Sequence, residues 1–114
     1  MIVLDENILE SQRAELHRRR IHLCQIGHDI ARKGIQDHEI IPLLRRLRRP
    51  TFVTRDGDFF DKNLCSDKYS LVFLEVRPLE VAGYIRQLIR HAEFRTWSKR
   101  KGCVVRVSPS GISV

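Results

Sequence analysis

The chain predicts an α/β fold: a mostly parallel sheet with helices on both faces, closed by a small C-terminal hairpin. Short apolar runs alternate with helix-length amphipathic stretches, which is the pattern of repeated strand–helix–strand units. The run from Leu71 to Val76 is almost continuously apolar, as a parallel strand covered on both faces must be. Ser108-Pro109-Ser110-Gly111 separates the last two apolar runs and reads as a turn.

Taken in order, Ile2-Val3-Leu4 is a compact first strand, too apolar for an exposed edge. Residues 8–20 predict a helix with Leu9, Leu16 and Ile21 toward the core and Arg13, Arg18, Arg19 and Arg20 outward. Residues 22–26 read as a second strand, closed by Gly27. After a loop through Gly34, a second helix carries Ile40, Leu44 and Leu47 at i, i+4, i+7 spacing, with Leu43 beside them. Pro42 conflicts with that helix: if Asp37 caps it, the proline falls about five residues in, where its missing N–H costs a hydrogen bond. A late start or a distorted first turn is the expected consequence. Pro50 ends the helix, and 51–54 follows as the third strand. A polar, irregular segment (56–69) leads to the fourth strand at 71–76. Pro78 opens a long helix whose buried face is Leu79, Ala82, Ile85, Leu88, Ile89 and Ala92. Residues 97–102 are basic and loop-like, and 103–107 with 112–114 form the hairpin.

At 114 residues the chain is one domain, residues 1–114. With 42% hydrophobic and 31% charged residues and a mean hydropathy of -0.30, it is a globular sequence and not a disordered one. No apolar run approaches the roughly 18 residues of a membrane span. Met1 to Glu6 lacks the basic start and long apolar stretch of a secretory signal, so a cytoplasmic address is expected. The 21 Lys+Arg against 14 Asp+Glu leave +7, with a pI near 9.9, which suits a polyanion partner or a solubilising surface. Cys24, Cys65 and Cys103 form an odd, scattered set, expected to be free thiols packed as small hydrophobes.

The acids are fewer but placed where such a fold puts its ligands, beyond the carboxyl ends of the strands. Asp5 follows the first strand, and Asp56 and Asp58 follow the third. Two apart in extended chain, those two would point the same way. Asp37 and Glu39 open the intervening helix near the same sheet edge. Carboxylates gathered in one crevice repel each other unless a divalent cation sits among them, and oxygen-only ligands select a hard ion such as Mg²⁺ or Mn²⁺. The plainer reading is that Asp37 is a helix cap, Asp56-Gly57 an ordinary turn, and Asp5-Glu6 a cap for the first helix.

Leu4-Asp5-Glu6-Asn7, then Gly34-x-x-Asp37-x-Glu39-Ile40, then Val53-Thr54-Arg55-Asp56-x-Asp58-Phe59, followed by Val-Val-x-Val and a Gly-containing hairpin, resembles a stand-alone PIN-like domain (PilT N-terminus type). The likeness is nearest to the small bacterial branch related to the Mut-seven C-terminal ribonuclease type, and it spans almost the whole chain. It implies a metal-dependent endoribonuclease on a three-layer α/β/α sandwich. It also implies that Asp5, Glu39, Asp56 and Asp58 bind the metal, with Asp37 as an additional ligand or orienting group. Asn7 and Thr54 would then fix the carboxylates. Relatives of this kind often act as toxins restrained by a small antitoxin. RNA and an antitoxin are therefore the implied partners; a homodimer is compatible and a membrane is not expected. Pro42 and an Arg-rich surface depart from the pattern.

The residues are consistent with that chemistry. Mg²⁺ or Mn²⁺ stabilises the attacking and leaving oxygens of a phosphodiester, carboxylates hold the ion, and one of them can accept the proton of the attacking water. The five histidines show no ligand spacing. Among the many bases, Arg55, beside the acids, and the run Lys99, Arg100 and Lys101 are the expected phosphate contacts, giving salt-sensitive and weakly sequence-specific RNA binding. A receiver domain would need one phosphoacceptor Asp and a Lys after the fifth strand, and that Lys is missing. A haloacid-dehalogenase-type phosphatase needs Asp-x-Asp where this chain has Asp5-x-Asn7. The stronger rival is a basic domain that keeps the fold and only binds RNA or a protein partner.

Overall fold

Strands that are apolar on both faces are stable only between two layers of covering structure. A computed structural model, describing all 114 residues, places them in one six-stranded sheet. Its spatial order is β2 (Leu23–Gln25), β1 (Ile2–Leu4), β3 (Thr51–Thr54), β4 (Ser70–Leu74), β5 (Val104–Ser108) and β6 (Gly111–Ser113). The first five run parallel, and β6 returns antiparallel against β5 as the expected hairpin.

Alternation along the strands builds two separate cores. Ile2, Leu4, Val53, Val72, Val105 and Val107 face a layer made by α1 (Glu10–Arg18) and α3 (Val81–Arg90), where they meet Leu16, Ile85 and Leu88. Val3, Cys24, Phe52, Leu71 and Val104 face the opposite layer and pack on Ile40, Leu43 and Leu44 of α2 (Asp37–Arg46). This is the expected three-layer α/β/α sandwich. Each fully buried aliphatic side chain contributes roughly 1.5–3 kcal/mol by leaving water.

Several local expectations change. Only Glu10–Arg18 is helical in the first segment, and Leu9 precedes the first turn and is 42% exposed. Its place in the core is taken by Gln12, whose Oε1 accepts the Ala82 N–H at the start of α3, 2.9 Å away. Arg13 turns inward, not outward, and its Nη1 donates to Gln25 Oε1 at 3.3 Å. Pro78–Glu80 forms a 3-10 turn, so α3 starts at Val81 and Leu79 falls off its buried stripe, 71% exposed. Ala92 lies beyond the helix end and is exposed. The basic segment after it is a one-turn helix, α4 (Trp97–Arg100), capped by Thr96 Oγ1 accepting the Lys99 N–H. All three cysteines are free, but only Cys24 is buried; Cys65 is exposed and Cys103 half-buried.

Pro42 neither delays nor breaks α2. Gln36, not Asp37, is the cap, and a capping box with Glu39 secures the first turn. The helix then runs unbroken through Pro42, leaving the His38 carbonyl without its i+4 donor. Restoring that donor outweighs the loss of proline's restraint on the unfolded chain, about 3 against 1 kcal/mol. Pro42→Ala is therefore expected to raise stability by about 2 kcal/mol, read as a higher urea midpoint at unchanged slope.

Candidate metal centre

The sheet order reverses between β1 and β3: the chain leaves β1 toward β2 on one side and later returns to pair β3 on the other. At such a switch point the loops diverge to opposite faces and leave a crevice beyond the carboxyl ends of the strands. The register sets Leu4 opposite Val53, so Asp5 and the segment after Thr54 emerge side by side. A cavity of about 340 Å³ opens there, lined by Asp5, Asn7, Asp37, Arg55 and Asp56 among others.

Thr54 ties two of these acids together. Its hydroxyl donates to Asp5 Oδ2 at 2.6 Å and accepts the Asp56 N–H at 3.0 Å. The other oxygen of Asp5 accepts the Glu6 N–H at 2.7 Å. Both Asp5 oxygens are thus held by protein donors; Thr54 contacts the Asp5 carboxylate directly and Asp56 only through its backbone N–H. Beyond β3 the chain is not extended. Asp56 instead caps a 3-10 turn at Gly57–Phe59, with its Oδ1 accepting the Asp58 N–H at 2.9 Å. The turn, not strand periodicity, brings Asp58 to the same side.

Asp37, at the first position of α2, completes the group. Oxygen atoms of Asp37, Asp56 and Asp58 lie within 4.8 Å of one another. Asp5 sits deeper beside them, and Asp58 lines an adjoining cleft that shares Asp37 with the main cavity. Glu39 is not part of the cluster. Its carboxylate accepts the Gln36 N–H at 2.8 Å and binds the Arg32 guanidinium at 2.8 and 3.0 Å. Those two interactions hold its pKa below the usual carboxylate value. Asp37 therefore occupies the place expected for Glu39.

Burial first, and then the nearby charges of Asp56 and Glu6, raise the Asp5 pKa; the Thr54 and Glu6 hydrogen bonds offset part of that. Asp37 is also raised, by partial desolvation and then by the charges of Asp56, Asp5 and Asp58, and its protonated form gains a hydrogen bond to Asp56. None of these carboxylates has an ion-pair partner, although the chain carries a surplus of cations. An oxygen-only donor set with uncompensated charge fits a hard divalent cation.

The remaining expected residues separate. Asn7 is exposed at the rim. Arg55 lines the cavity with its Nε donating to the Val76 carbonyl at 2.9 Å, which anchors the guanidinium at the edge. Lys99, Arg100 and Lys101 precede β5 and so lie at the opposite end of the sheet. Arg100 is not a surface phosphate contact: only 6% exposed, it donates from Nε to Thr51 Oγ1 and from Nη1 to the Phe94 carbonyl. Lys99 Nζ donates to the Ala92 carbonyl at 2.7 Å.

Two positioning residues carry no motif. Gln25, 1% exposed, donates from Nε2 to the carbonyls of Asp5, Glu6 and Ile8 and so shapes the loop that presents Asp5. A lone amide inside an apolar run is its only signal, since a buried polar group requires partners. Glu6 accepts the Gly34 N–H on both oxygens, at 2.9 and 3.0 Å, and ties down the loop before α2. Gly27, at φ +84°, has a backbone that L side chains rarely adopt, and an added Cβ would crowd the same carboxylate at 3.1 Å.

No family model, curated protein or solved structure matches the chain.

Mn²⁺ at about a hundred times its dissociation constant is expected to stabilise the fold by about 2.7 kcal/mol, seen as a rise in Tm that EDTA reverses. Asp37→Asn and Asp56→Asn should abolish most of that rise. A second expectation concerns pH. Because the folded pKa of Asp37 lies above its unfolded value, its contribution is complete below the unfolded pKa and is lost as pH rises through the folded one. In EDTA, the stability of Asp37→Asn relative to the parent chain should therefore increase from about pH 4 to about pH 7, as measured by denaturation at each pH.

Proposed function

We propose that the chain is an Mg²⁺- or Mn²⁺-dependent endoribonuclease of PIN-like type, in a toxin–antitoxin setting. The observation that carries this reading is the convergence of Asp5, Asp37, Asp56 and Asp58 at the switch point with no cationic side chain paired to them. Asp37 takes the helix position that the resemblance gave to Glu39. The bound ion would supply stabilisation of negative charge on the attacking and leaving oxygens.

The chain's own residues supply the rest. Asp37, Asp56 and Asp58 would hold the ion, and Thr54 keeps Asp5 and Asp56 in fixed relation. Asp5, beside these three and lining the same cavity, would accept the proton of an attacking water. The anchored guanidinium of Arg55 faces an incoming phosphate from the rim. The same geometry gives a receiver domain no support, since Pro109 and Ser110 follow β5 in place of a lysine.

The test is cleavage of a 5′-labelled single-stranded RNA with Mg²⁺ or Mn²⁺, with EDTA, and by Asp5→Asn and Asp56→Asn. Metal-dependent cleavage reduced at least about 100-fold in each variant is expected. Cleavage that survives EDTA overturns the carboxylate mechanism. Metal binding and RNA binding without cleavage support instead a non-catalytic basic domain on the same fold.

A further inference from the structure

A second groove, of about 380 Å³, lies at the other end of the molecule. Arg45 and Arg49 come from the connection before β3, Lys68 from the one before β4, and Trp97 and Lys101 from the one before β5. All precede parallel strands, so the groove sits at the N-terminal edge of the sheet, with the carboxylates at the C-terminal edge.

Four cations line it against one acid, Asp67, and no carboxylate lies within ion-pair distance of any of the four. Their placement is organised. The Arg45 guanidinium sits 5.7 Å from the centre of the buried Tyr69 ring, and the Tyr69 hydroxyl is itself held by the Leu64 carbonyl. The Lys101 backbone N–H donates to the Trp97 carbonyl at 2.7 Å and closes the turn from which the half-buried Trp97 and Lys101 both line the groove. Beneath them Arg100 hydrogen-bonds only neutral oxygens, so its charge adds to the positive potential.

Cations following a groove with an aromatic ring among them form the platform that single-stranded nucleic acids use: phosphates meet the cations and a base stacks on the ring. An acidic peptide would satisfy the cations but leave the indole face without a planar partner. We propose that this groove binds single-stranded RNA, with Arg45, Arg49, Lys68 and Lys101 on the phosphates and Trp97 stacking a base. The proposal concerns a surface remote from the carboxylates and does not require them to be catalytic.

Trp97 is the only tryptophan, so its fluorescence reports this groove alone. In EDTA, where no metal is present, a 12-mer oligouridylate is expected to quench it saturably. Arg49→Ala/Lys101→Ala should weaken binding about tenfold and reduce the slope of log K against log salt by about 1.4, at roughly 0.7 per phosphate contact on a single strand. Asp67→Asn should tighten binding about twofold, which keeps the test decisive if the double variant does not fold. Binding without quenching, an unchanged affinity in a folded double variant, or equal quenching by polyglutamate overturns the proposal; the last result identifies an acidic protein surface as the partner. Since the assay needs neither metal nor cleavage, its failure is distinct from failure of the nuclease reading.

Discussion

Parallel hydrogen bonding of β1 to both β2 and β3 is the constraint from which the rest of the architecture follows. A strand paired on both edges and covered on both faces has to be short and apolar, and its polar residues are pushed to its ends. Asp5 is the first residue past that limit, and the register puts it next to the segment leaving β3. Because α1 packs on one face and α2 on the other, the two connections diverge and nothing fills the space between them. Gln25 and Thr54, buried polar residues at the strand ends, turn that gap into a defined site by holding the loop carbonyls and the Asp5 carboxylate.

Charge is segregated along the strand direction. The C-terminal edge carries the unpaired carboxylates, while the N-terminal edge carries Arg45, Arg49, Lys68 and Lys101. The positive end of α2 favours Asp37 in its first turn, yet neighbouring charges and lost hydration still raise its pKa. Without a cation, the acidic edge opposes the approach of any phosphate, and a bound divalent ion reverses that local field.

Much of the fold was legible in the chain. The apolar runs at 2–4, 51–54 and 71–76 each became buried strands, with β4 beginning one residue earlier and ending at Leu74. Hydrophobic periodicity failed where local backbone chemistry intervened. Leu79 matched the helical stripe, but Pro78 and a capping box through Glu80 put it in a 3-10 turn. Arg100 read as one more member of a basic run, yet a one-turn helix buries it at the N-terminal edge of the sheet against Thr51. Neither outcome follows from residue type, because each depends on which distant oxygen the side chain or turn meets.

By itself the sequence determined the alternation of strands and helices and the presence of acids just past the first and third strands. Both are local properties, set by apolar periodicity and by where polarity resumes. Only the tertiary structure decided between Asp37 and Glu39. Two residues apart on a helix, they point about 200° from each other, so only one can face the crevice. Which one depends on how α2 rotates to bury Ile40, Leu43 and Leu44 on the sheet, a choice made by packing across the whole domain.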